Sequence, residues 1–273
     1  MAAIDPNTLD KLVAAVGQGR RYSHIMPDLV KRITCEEADK FRKPSQVIKS
    51  ARSRLYQVGG AFQGKPINFG QWETRLKELP TDIRHPAVMQ YCQEMMQLHA
   101  SSFERLSILP EFFKTTLEAV RPIHSVLDLA CGLNPLAIPW MGLNDQFTYT
   151  ACDIYEDMVG FLNTFFRHFS PDSIAFTCDI TQMKEFPKVQ LALLLKTLPC
   201  LEHLNKNIGS RVLENIHADH ILVSFPVKSL SGHEKGMREN YQSYFYSILK
   251  PSSWTLRTFE FSNEMAFLLS RNQ

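Results

Sequence analysis

Three aspartates follow apolar runs of the chain, and their spacing could build one binding site. Asp128, Asp153 and Asp179 stand 25 and 26 residues apart, about one strand–helix unit each. The runs that carry them are apolar throughout, as strands buried on both faces are. Because ligands of open α/β sheets bind beyond the carboxyl ends of the strands, we expect the three carboxylates to meet at one edge. Asp153 is placed there to accept hydrogen bonds from two ribose hydroxyls.

The turn after the first run carries one glycine where a dinucleotide site needs three. In DLACGLNP, Ala130 replaces the first glycine of G-x-G-x-x-G and Pro135 replaces the third, which leaves Gly132. The missing glycines argue against a pyrophosphate, because its phosphates need that turn and a helix N-terminus. S-adenosylmethionine (SAM) has a ribose and an adenine but no phosphate. Gly132 would let the backbone approach it closely, and Asp179 with Ile180 would contact its adenine. A ligand-free α/β domain with incidental acids is the alternative.

The amino-acid tail of SAM has a carboxylate that needs a cation, and the turn itself contains no Lys or Arg. A candidate upstream is Arg105, in the segment LHASSFERL. In a helix, Ser101 and Arg105 share one face, and His99 and Ser102 share another. A polar stripe therefore interrupts an otherwise apolar helix. A surface arginine at a helix end is the alternative interpretation.

The two halves of the chain differ in periodicity. Residues 1–120 show helical period, and after Pro122 five strand-length apolar runs alternate with helical stretches. The alternation predicts a parallel, doubly wound sheet. Two further runs, WTLRTFEFS and EMAFLLSR, are separated only by a short turn at Asn263 and predict an antiparallel hairpin. This arrangement resembles the Rossmann-like SAM-dependent methyltransferase fold, an α/β fold with a seven-stranded, mostly parallel sheet and a C-terminal antiparallel hairpin. We assign residues 121–273 to it, and residues 1–120 to an N-terminal helical domain whose last helices border the SAM site.

The net charge of +2 is unevenly distributed. Between Lys11 and Arg54 there are 11 basic and 4 acidic residues, which is a net +7 in 44 residues. Such a patch suits a polyanion such as RNA, and a solvated helical face is the alternative. The basic residues expected to dock on RNA phosphates are Arg20, Arg21, Lys31, Arg32, Lys49, Arg52 and Arg54.

The remaining bulk features predict a cytoplasmic protein. No apolar run approaches the roughly 20 residues that cross a membrane, and the N-terminus lacks the features of a signal peptide. The six cysteines show no C-x-x-C spacing. We expect free thiols and no metal site, as in a reducing compartment, and a monomer.

Four segments together resemble the aminoglycoside-resistance 16S rRNA (guanine-N7) methyltransferases of the Arm/Rmt family. They are LHASSFERL, VLDLACGLNPLAIPW, LLLKTLPCLE and VSFPVKSLSGHEKGMRENY, and the likeness runs over most of the chain. The resemblance implies methyl transfer from SAM, with S-adenosyl-L-homocysteine as product, to N7 of one decoding-site guanine of 16S rRNA. The implied substrate is the assembled 30S subunit. The implied phenotype is resistance to 4,6-disubstituted 2-deoxystreptamine aminoglycosides. Phe103 departs from the family, which has a more polar residue there.

The resemblance also implies roles for individual residues. Arg105 matches the arginine that holds the SAM carboxylate, and His99 and Ser101 line the same region. Thr197 lies where the family closes the pocket, and Asn205 lies where a relative contacts the cofactor. The predicted cofactor residues are His99, Ser101, Arg105, Asp128, Ala130, Gly132, Asp153, Ile154, Asp179, Ile180, Thr197 and Asn205.

Methylation at guanine N7 needs no general base, because N7 bears a lone pair and no proton. We therefore expect no acid–base pair, and catalysis by proximity and orientation of a flipped base. The residues predicted to position the target base are Asn134, Lys196, Lys228 and Arg238. Lys235, in the same glycine-containing loop as Lys228, is predicted to grip RNA phosphates.

Three other functions stay open at this point. An RNA 5-methylcytosine methyltransferase would use Cys200 as a nucleophile, but its apolar flanks Leu198 and Leu201 offer the thiol no activating cation or base. A SAM-binding, RNA-binding protein without activity would keep Arg105 and Asp153. A small-molecule methyltransferase would have no use for the basic patch.

Overall fold

Seven helices form the N-terminal part of the computed structural model, which describes residues 5–62, 64, 66–202, 204, 207–227, 236–249 and 254–272. Several of them begin with proline, whose fixed φ suits the first helical turn. Asp5 caps the first helix by accepting a hydrogen bond from the Thr8 N–H at 3.0 Å. The helices are α1 (Pro6–Gly17), α2 (Pro27–Ala38), α3 (Pro44–Leu55), α4 (Phe69–Leu76), α5 (Pro86–Met96), α6 (Ala100–Arg105) and α7 (Leu109–Leu117).

Seven strands of the described C-terminal part form one sheet. They are β1 (Ser125–Leu129), β2 (Thr148–Asp153), β3 (Ile174–Thr177), β4 (Val189–Leu195), β5 (Ala218–Pro226), β6 (Trp254–Glu260) and β7 (Glu264–Arg271). Their order is β3-β2-β1-β4-β5-β7-β6. The first five strands are parallel, and β7 runs antiparallel to both β5 and β6. The predicted fold class, with its C-terminal hairpin, is confirmed.

Five helices accompany the sheet among the described residues. They are α8 (Ile138–Met141), α9 (Glu156–Phe169), α10 (Leu198–Glu202), α11 (Ile208–Asn215) and α12 (Met237–Ile248). Helix α9 returns the chain from β2 to β3, and α10 with α11 from β4 to β5. These crossovers leave the carboxyl ends of β1 to β4 at one edge of the sheet.

The N-terminal helices share a hydrophobic cluster with one face of the sheet. Ile33 of α2 and Leu55 of α3 belong to the same cluster as Val126 of β1 and Leu191 of β4. Alternate strand residues such as Leu127 face a second cluster on the other side, as the two-residue period of a strand requires. The boundary at residue 120 marks a change of secondary structure within a shared core. A separate docking role for residues 1–120 stays a prediction.

The segment before α2 also pairs with the connection that follows β2. The Met26 N–H donates to the Ile154 carbonyl at 2.8 Å, and the Glu156 N–H donates to the His24 carbonyl at 2.8 Å. Helix α2 therefore starts against the connection that follows β2. No helix among the described ranges is long and apolar enough to span a bilayer.

The strand end that carries Asp179 differs slightly from the prediction. Strand β3 ends at Thr177 rather than at Asp179. The Asp179 side chain accepts a hydrogen bond from the Thr181 N–H at 3.0 Å. Such a bond to the backbone two residues on makes a turn, and the turn ends the strand.

Candidate active site

A cleft at the carboxyl ends of β1 to β4 encloses about 890 Å³, part of which is open to solvent. Eleven of the twelve predicted cofactor residues line it: His99, Ser101, Arg105, Asp128, Ala130, Gly132, Asp153, Ile154, Asp179, Ile180 and Thr197. The twelfth, Asn205, lies outside the described residues. The cleft is also lined by Asn134 and Lys196, which were predicted to position the target base.

The turn after β1 needs its glycine for a reason that the sequence did not reveal. Gly132 has φ +53°, and a Cβ there would lie 2.7 Å from Cε1 of His99. Its N–H donates to Oδ2 of Asp153 at 2.8 Å. Ala130 also has a positive φ, of 52°. The strained turn therefore brings the β1 backbone onto both His99 and the β2 carboxylate.

Asp153 is held by the backbone. Besides the Gly132 bond, its Oδ1 accepts from the Ile154 N–H at 2.7 Å. Burial raises the pKa of the Asp153 carboxyl, although the N–H groups around it act to lower it. The bonds fix the orientation of a carboxylate at the cleft wall.

Asp128 forms a polar cluster with Asn134 and Tyr149. Its Oδ2 accepts from Nδ2 of Asn134 at 2.8 Å and from the Tyr149 hydroxyl at 2.7 Å. Burial raises the pKa of Asp128 to about 6. The other end of the Asn134 amide accepts from Nη1 of Arg105 at 3.0 Å. Asn134 thus connects Asp128 to Arg105, and its predicted contact with the target base stays a prediction.

Arg105 is fully buried against Glu264, an acid that sequence reasoning missed. Nη2 of Arg105 lies 2.7 Å from Oε1 of Glu264, and Nε lies 3.1 Å from Oε2. Lys196 contributes a second cation, 3.5 Å from Oε2 of Glu264 and 2.7 Å from Glu104. Burial acts to raise the pKa of Glu264, but Arg105 and Lys196 outweigh it and hold that pKa below its ordinary value. A Glu at the start of the apolar run EMAFLLSR was the available signal.

The arginine keeps donors for a ligand. A guanidinium has five N–H groups. Three of those of Arg105 bond to Glu264 and Asn134. The other two have no partner within the described part of the chain. His99 adds no charge here, since burial and then the cations Lys196 and Arg105 lower its pKa to about 4.

Several of the residues predicted to contact RNA form ion pairs or hydrogen bonds within the protein instead. Arg32 bonds to Asp179 and Glu36, each at 2.7 Å. Arg54 bonds to Glu36 and Glu37, and Arg52 donates to the Ala15 carbonyl at 2.6 Å. The exposed members of the predicted set are Arg20, Arg21, Lys31 and Lys49.

The predicted C-terminal cation that the structure describes, Arg238, does not line the cleft. At the start of α12, it bonds to Glu260 at 3.0 Å and to the Phe261 carbonyl at 3.2 Å. Lys228 and Lys235 lie outside the described residues.

Cys200 lines the cleft as an unactivated thiol. Burial raises its pKa to about 12, and its Sγ donates to the Lys196 carbonyl at 3.5 Å. A catalytic cysteine needs a lowered pKa, so this geometry disfavours cytosine chemistry. All six cysteines are free. Among the residues that the structure describes, no group of three or more His, Cys, Asp or Glu could hold a metal ion.

Comparisons with known proteins identify close resemblances. The family model described as ribosomal RNA methyltransferase (FmrO) matches residues 18–268. A 16S rRNA (guanine(1405)-N(7))-methyltransferase of Micromonospora echinospora is 31% identical over 265 residues, which is 96% of this chain and 97% of that protein. A protein of the same description from Serratia marcescens is 28% identical over 268 residues, which is 97% of this chain and 99% of that protein.

Solved structures agree with the sequence matches. The 16S rRNA methyltransferase RmtF in complex with S-adenosyl-L-homocysteine superimposes with a TM-score of 0.81 at 27% identity, over 99% of this chain and 100% of that one. The 16S rRNA methylase RmtB gives a TM-score of 0.79 at 25% identity, over 98% and 100% of the two chains.

Proposed function

This chain belongs to the ribosomal RNA methyltransferase (FmrO) family, and we propose that its cleft holds SAM for methyl transfer to N7 of guanine 1405 in 16S rRNA, the reaction named for its relatives. The protein is a SAM-dependent 16S rRNA (guanine-N7)-methyltransferase. The observation that carries the proposal is the gathering of eleven predicted cofactor residues in one cleft. Resistance to 4,6-disubstituted 2-deoxystreptamine aminoglycosides follows as the expected phenotype.

The donors and acceptors of the cleft fit the parts of SAM. Both oxygens of Asp153 are oriented by backbone N–H groups, and their remaining lone pairs can accept from ribose hydroxyls. The two remaining donors of Arg105 can receive the tail carboxylate. Both hydrogen bonds to Asp128 use Oδ2, so Oδ1 is the atom we assign to the tail ammonium. Ile180 offers an apolar surface for the adenine.

The chain's own residues orient the reactants and hold no proton for the reaction. SAM, when bound, would supply a sulfonium methyl group, whose carbon a lone pair can attack in line while S-adenosyl-L-homocysteine leaves with the electrons of the broken C–S bond. Guanine N7 offers that lone pair without losing a proton, so the neutral His99 is not required as a base. Lys196 and Thr197 follow β4 at the open edge, and Lys196 has a φ of 60°. We propose that the flipped base packs against this strained turn.

The substrate is proposed to be 16S rRNA within the assembled 30S subunit, in the cytoplasm, with the enzyme acting as a monomer. Arg20, Arg21, Lys31 and Lys49 are exposed on the N-terminal helices and the segments between them. Cations in this arrangement would contact phosphates and fix docking without reading bases. Residues 1–120 are therefore proposed as the docking part, built on a core shared with the sheet.

Mapping of the methylated nucleotide tests the proposal. Purified 30S subunits would be incubated with the protein and SAM, and 7-methylguanine would be located by chemical strand scission and primer extension. Modification at guanine 1405 is expected, and Asp153→Asn should reduce it strongly. A modified cytosine without 7-methylguanine would overturn the proposal in favour of 5-methylcytosine chemistry. SAM binding without any modification would favour an inactive RNA-binding protein.

A further inference from the structure

Arg32 lies in the basic N-terminal patch, but its guanidinium points to the cofactor cleft. Its Nη2 and Nε donate to Oδ2 of Asp179 at 2.7 and 3.0 Å. Asp179 lines the cleft at the end predicted to hold the adenine. The two residues are 147 positions apart in the chain. Helix α2 therefore contributes a contact to the loop after β3.

The Asp179 carboxylate is fully engaged by these contacts. Its Oδ1 accepts from the N–H and the hydroxyl of Thr181, at 3.0 and 2.6 Å, while Oδ2 accepts the two donors of Arg32. A carboxylate has about four lone-pair directions, and all of them are used. The Asp179 side chain is only 10% exposed. Without Arg32, a largely buried carboxylate would lose its facing cation and half of its donors.

Arg32 also belongs to a chain of ion pairs that spans the cleft rim. Its Nη1 bonds to Oε1 of Glu36, whose Oε2 accepts from Nη1 of Arg54, both at 2.7 Å. Arg54 donates in turn to the carbonyl of Leu204, at 3.5 Å. Asp179 and Leu204 both line the cleft, on the connections that follow β3 and β4. The chain of pairs therefore joins two loops of the rim through α2 and α3.

Helix α2 is attached to the cleft at a second point. It begins next to the hydrogen bond between Met26 and Ile154, the residue after Asp153. Leu29, in the first turn of the helix, lines the cleft. Helix α2 thus connects the loop predicted to hold the ribose with the loop predicted to hold the adenine.

The acids around Arg32 leave it little positive charge with which to attract a phosphate. Asp179 and Glu36 both lie 2.7 Å from its guanidinium, and a doubly paired arginine gains little from an additional anion. The neighbouring Lys31 is exposed and has no ion pair within the described ranges. The two adjacent cations of α2 therefore differ in environment although their sequence context is the same.

We propose that Arg32 is a positioning residue of the cofactor site, which orients Asp179 and holds α2 against the adenine end, and that it is not an rRNA contact. The proposal rests on the cofactor assignment made above. Its consequence is that the two adjacent residues have different functions: Lys31 contacts rRNA, and Arg32 supports SAM binding.

The test compares Arg32→Gln with the matched control Lys31→Gln. Calorimetry with SAM should give a dissociation constant raised by roughly tenfold or more for Arg32→Gln, since charge-assisted hydrogen bonds are removed. Lys31→Gln should bind SAM like the wild type. In steady-state methylation, Arg32→Gln should raise KM for SAM and leave KM for 30S subunits unchanged, whereas Lys31→Gln should do the reverse.

Two further variants keep the test decisive if Arg32→Gln unfolds. Arg32→Lys retains the charge but not the two-donor geometry, so its SAM affinity should lie between those of the wild type and Arg32→Gln. Asp179→Asn should reduce SAM affinity and make the Arg32→Lys change nearly silent, as coupled residues do. Unchanged SAM binding by a folded Arg32 variant, or a higher KM for 30S subunits alone, would overturn the inference. A wild-type protein that fails to bind SAM would instead overturn the proposed function.

Discussion

Glu264 and Arg105 are 159 residues apart in the chain, yet Oε1 and Nη2 of their side chains lie 2.7 Å apart in the interior. Their side chains are 0% and 1% exposed. The pair orients the guanidinium proposed to hold the cofactor carboxylate. Lys196 also approaches Glu264, so this one buried acid lies beside two buried cations. A second acid, Glu104, pairs with Lys196.

Glu264→Gln should therefore damage both stability and cofactor binding. Removing one partner of a buried ion pair leaves a charge uncompensated and costs about 3–5 kcal/mol. Urea unfolding should show this decrease, and calorimetry should show weakened SAM binding in the folded fraction. A Glu264→Gln protein as stable as the wild type would mean that Glu104 alone suffices to balance the cations.

Gly132→Ala should abolish SAM binding. The substitution places a Cβ 2.7 Å from His99 at a φ of +53°, and the left-handed conformation alone costs about 1–2 kcal/mol. Gly160→Ala is the matched control, because nothing lies within 4 Å of its added Cβ and it stands in helix α9. The control should be neutral or slightly stabilising. Equal effects of the two changes in a SAM titration would contradict this account of the turn.

SAM affinity should rise with pH through about 6. Burial raises the Asp128 pKa to about 6 from 3.8, so the carboxyl is protonated below that pH and cannot pair with the tail ammonium. Above it, the carboxylate is present and the ion pair forms. Titrations between pH 5 and 8 would measure the dependence, and Asp128→Asn should flatten it. If Asp128→Asn kept the wild-type profile, the titration would belong to another group.

Cys200→Ser should retain methyl transfer. The thiol has a pKa raised to about 12, so almost none of it is thiolate at neutral pH, and attack by N7 needs no covalent adduct. Methylation rates at saturating SAM and 30S subunits should match the wild type within a few-fold. A folded Cys200→Ser protein that binds SAM but transfers no methyl group would revive the 5-methylcytosine mechanism.

Salt dependence should separate the exposed cations from the engaged ones. Substitution of Arg20, Arg21, Lys31 or Lys49 by Gln should flatten the log–log slope of 30S affinity against salt by about 0.7–0.9 for each phosphate that the side chain neutralises. Substitution of Arg54 should leave the slope unchanged, because its guanidinium is already neutralised by Glu36 and Glu37. Identical slopes for all variants would show that the patch is a solvated surface.

The strand-end aspartates illustrate what a sequence can predict. Apolar runs of strand length predicted the sheet. The topology of parallel strands then predicted that Asp128 and Asp153 lie at one edge of it. Asp179 came two residues beyond its strand, because its side chain forms a turn with Thr181. That turn depends on a local hydrogen bond, which cannot be predicted from the apolar pattern of the strand.

The partners of the arginines could not be predicted in the same way. Glu264 reaches Arg105 only through the antiparallel register of β7 on β5, in which Glu264 pairs with Pro226. In α2, Arg32 lies off the buried face that carries Leu29 and Ile33, and a residue there faces either water or a neighbouring loop. The choice depends on the packing of α2 across the sheet edge, which the local pattern does not contain.

The position of Glu264 in the last strand sets an order of events during synthesis. The ribosome makes Arg105 159 residues before its counter-charge, a delay of roughly 8–32 s at elongation rates of about 5–20 residues per second. Until β7 inserts between β5 and β6, a nascent chain holds Arg105 without its buried acid, whereas Lys196 already has Glu104. Maturation of this enzyme therefore waits for its C-terminus, and a chain that stops short of residue 264 lacks the acid on which the cleft is built.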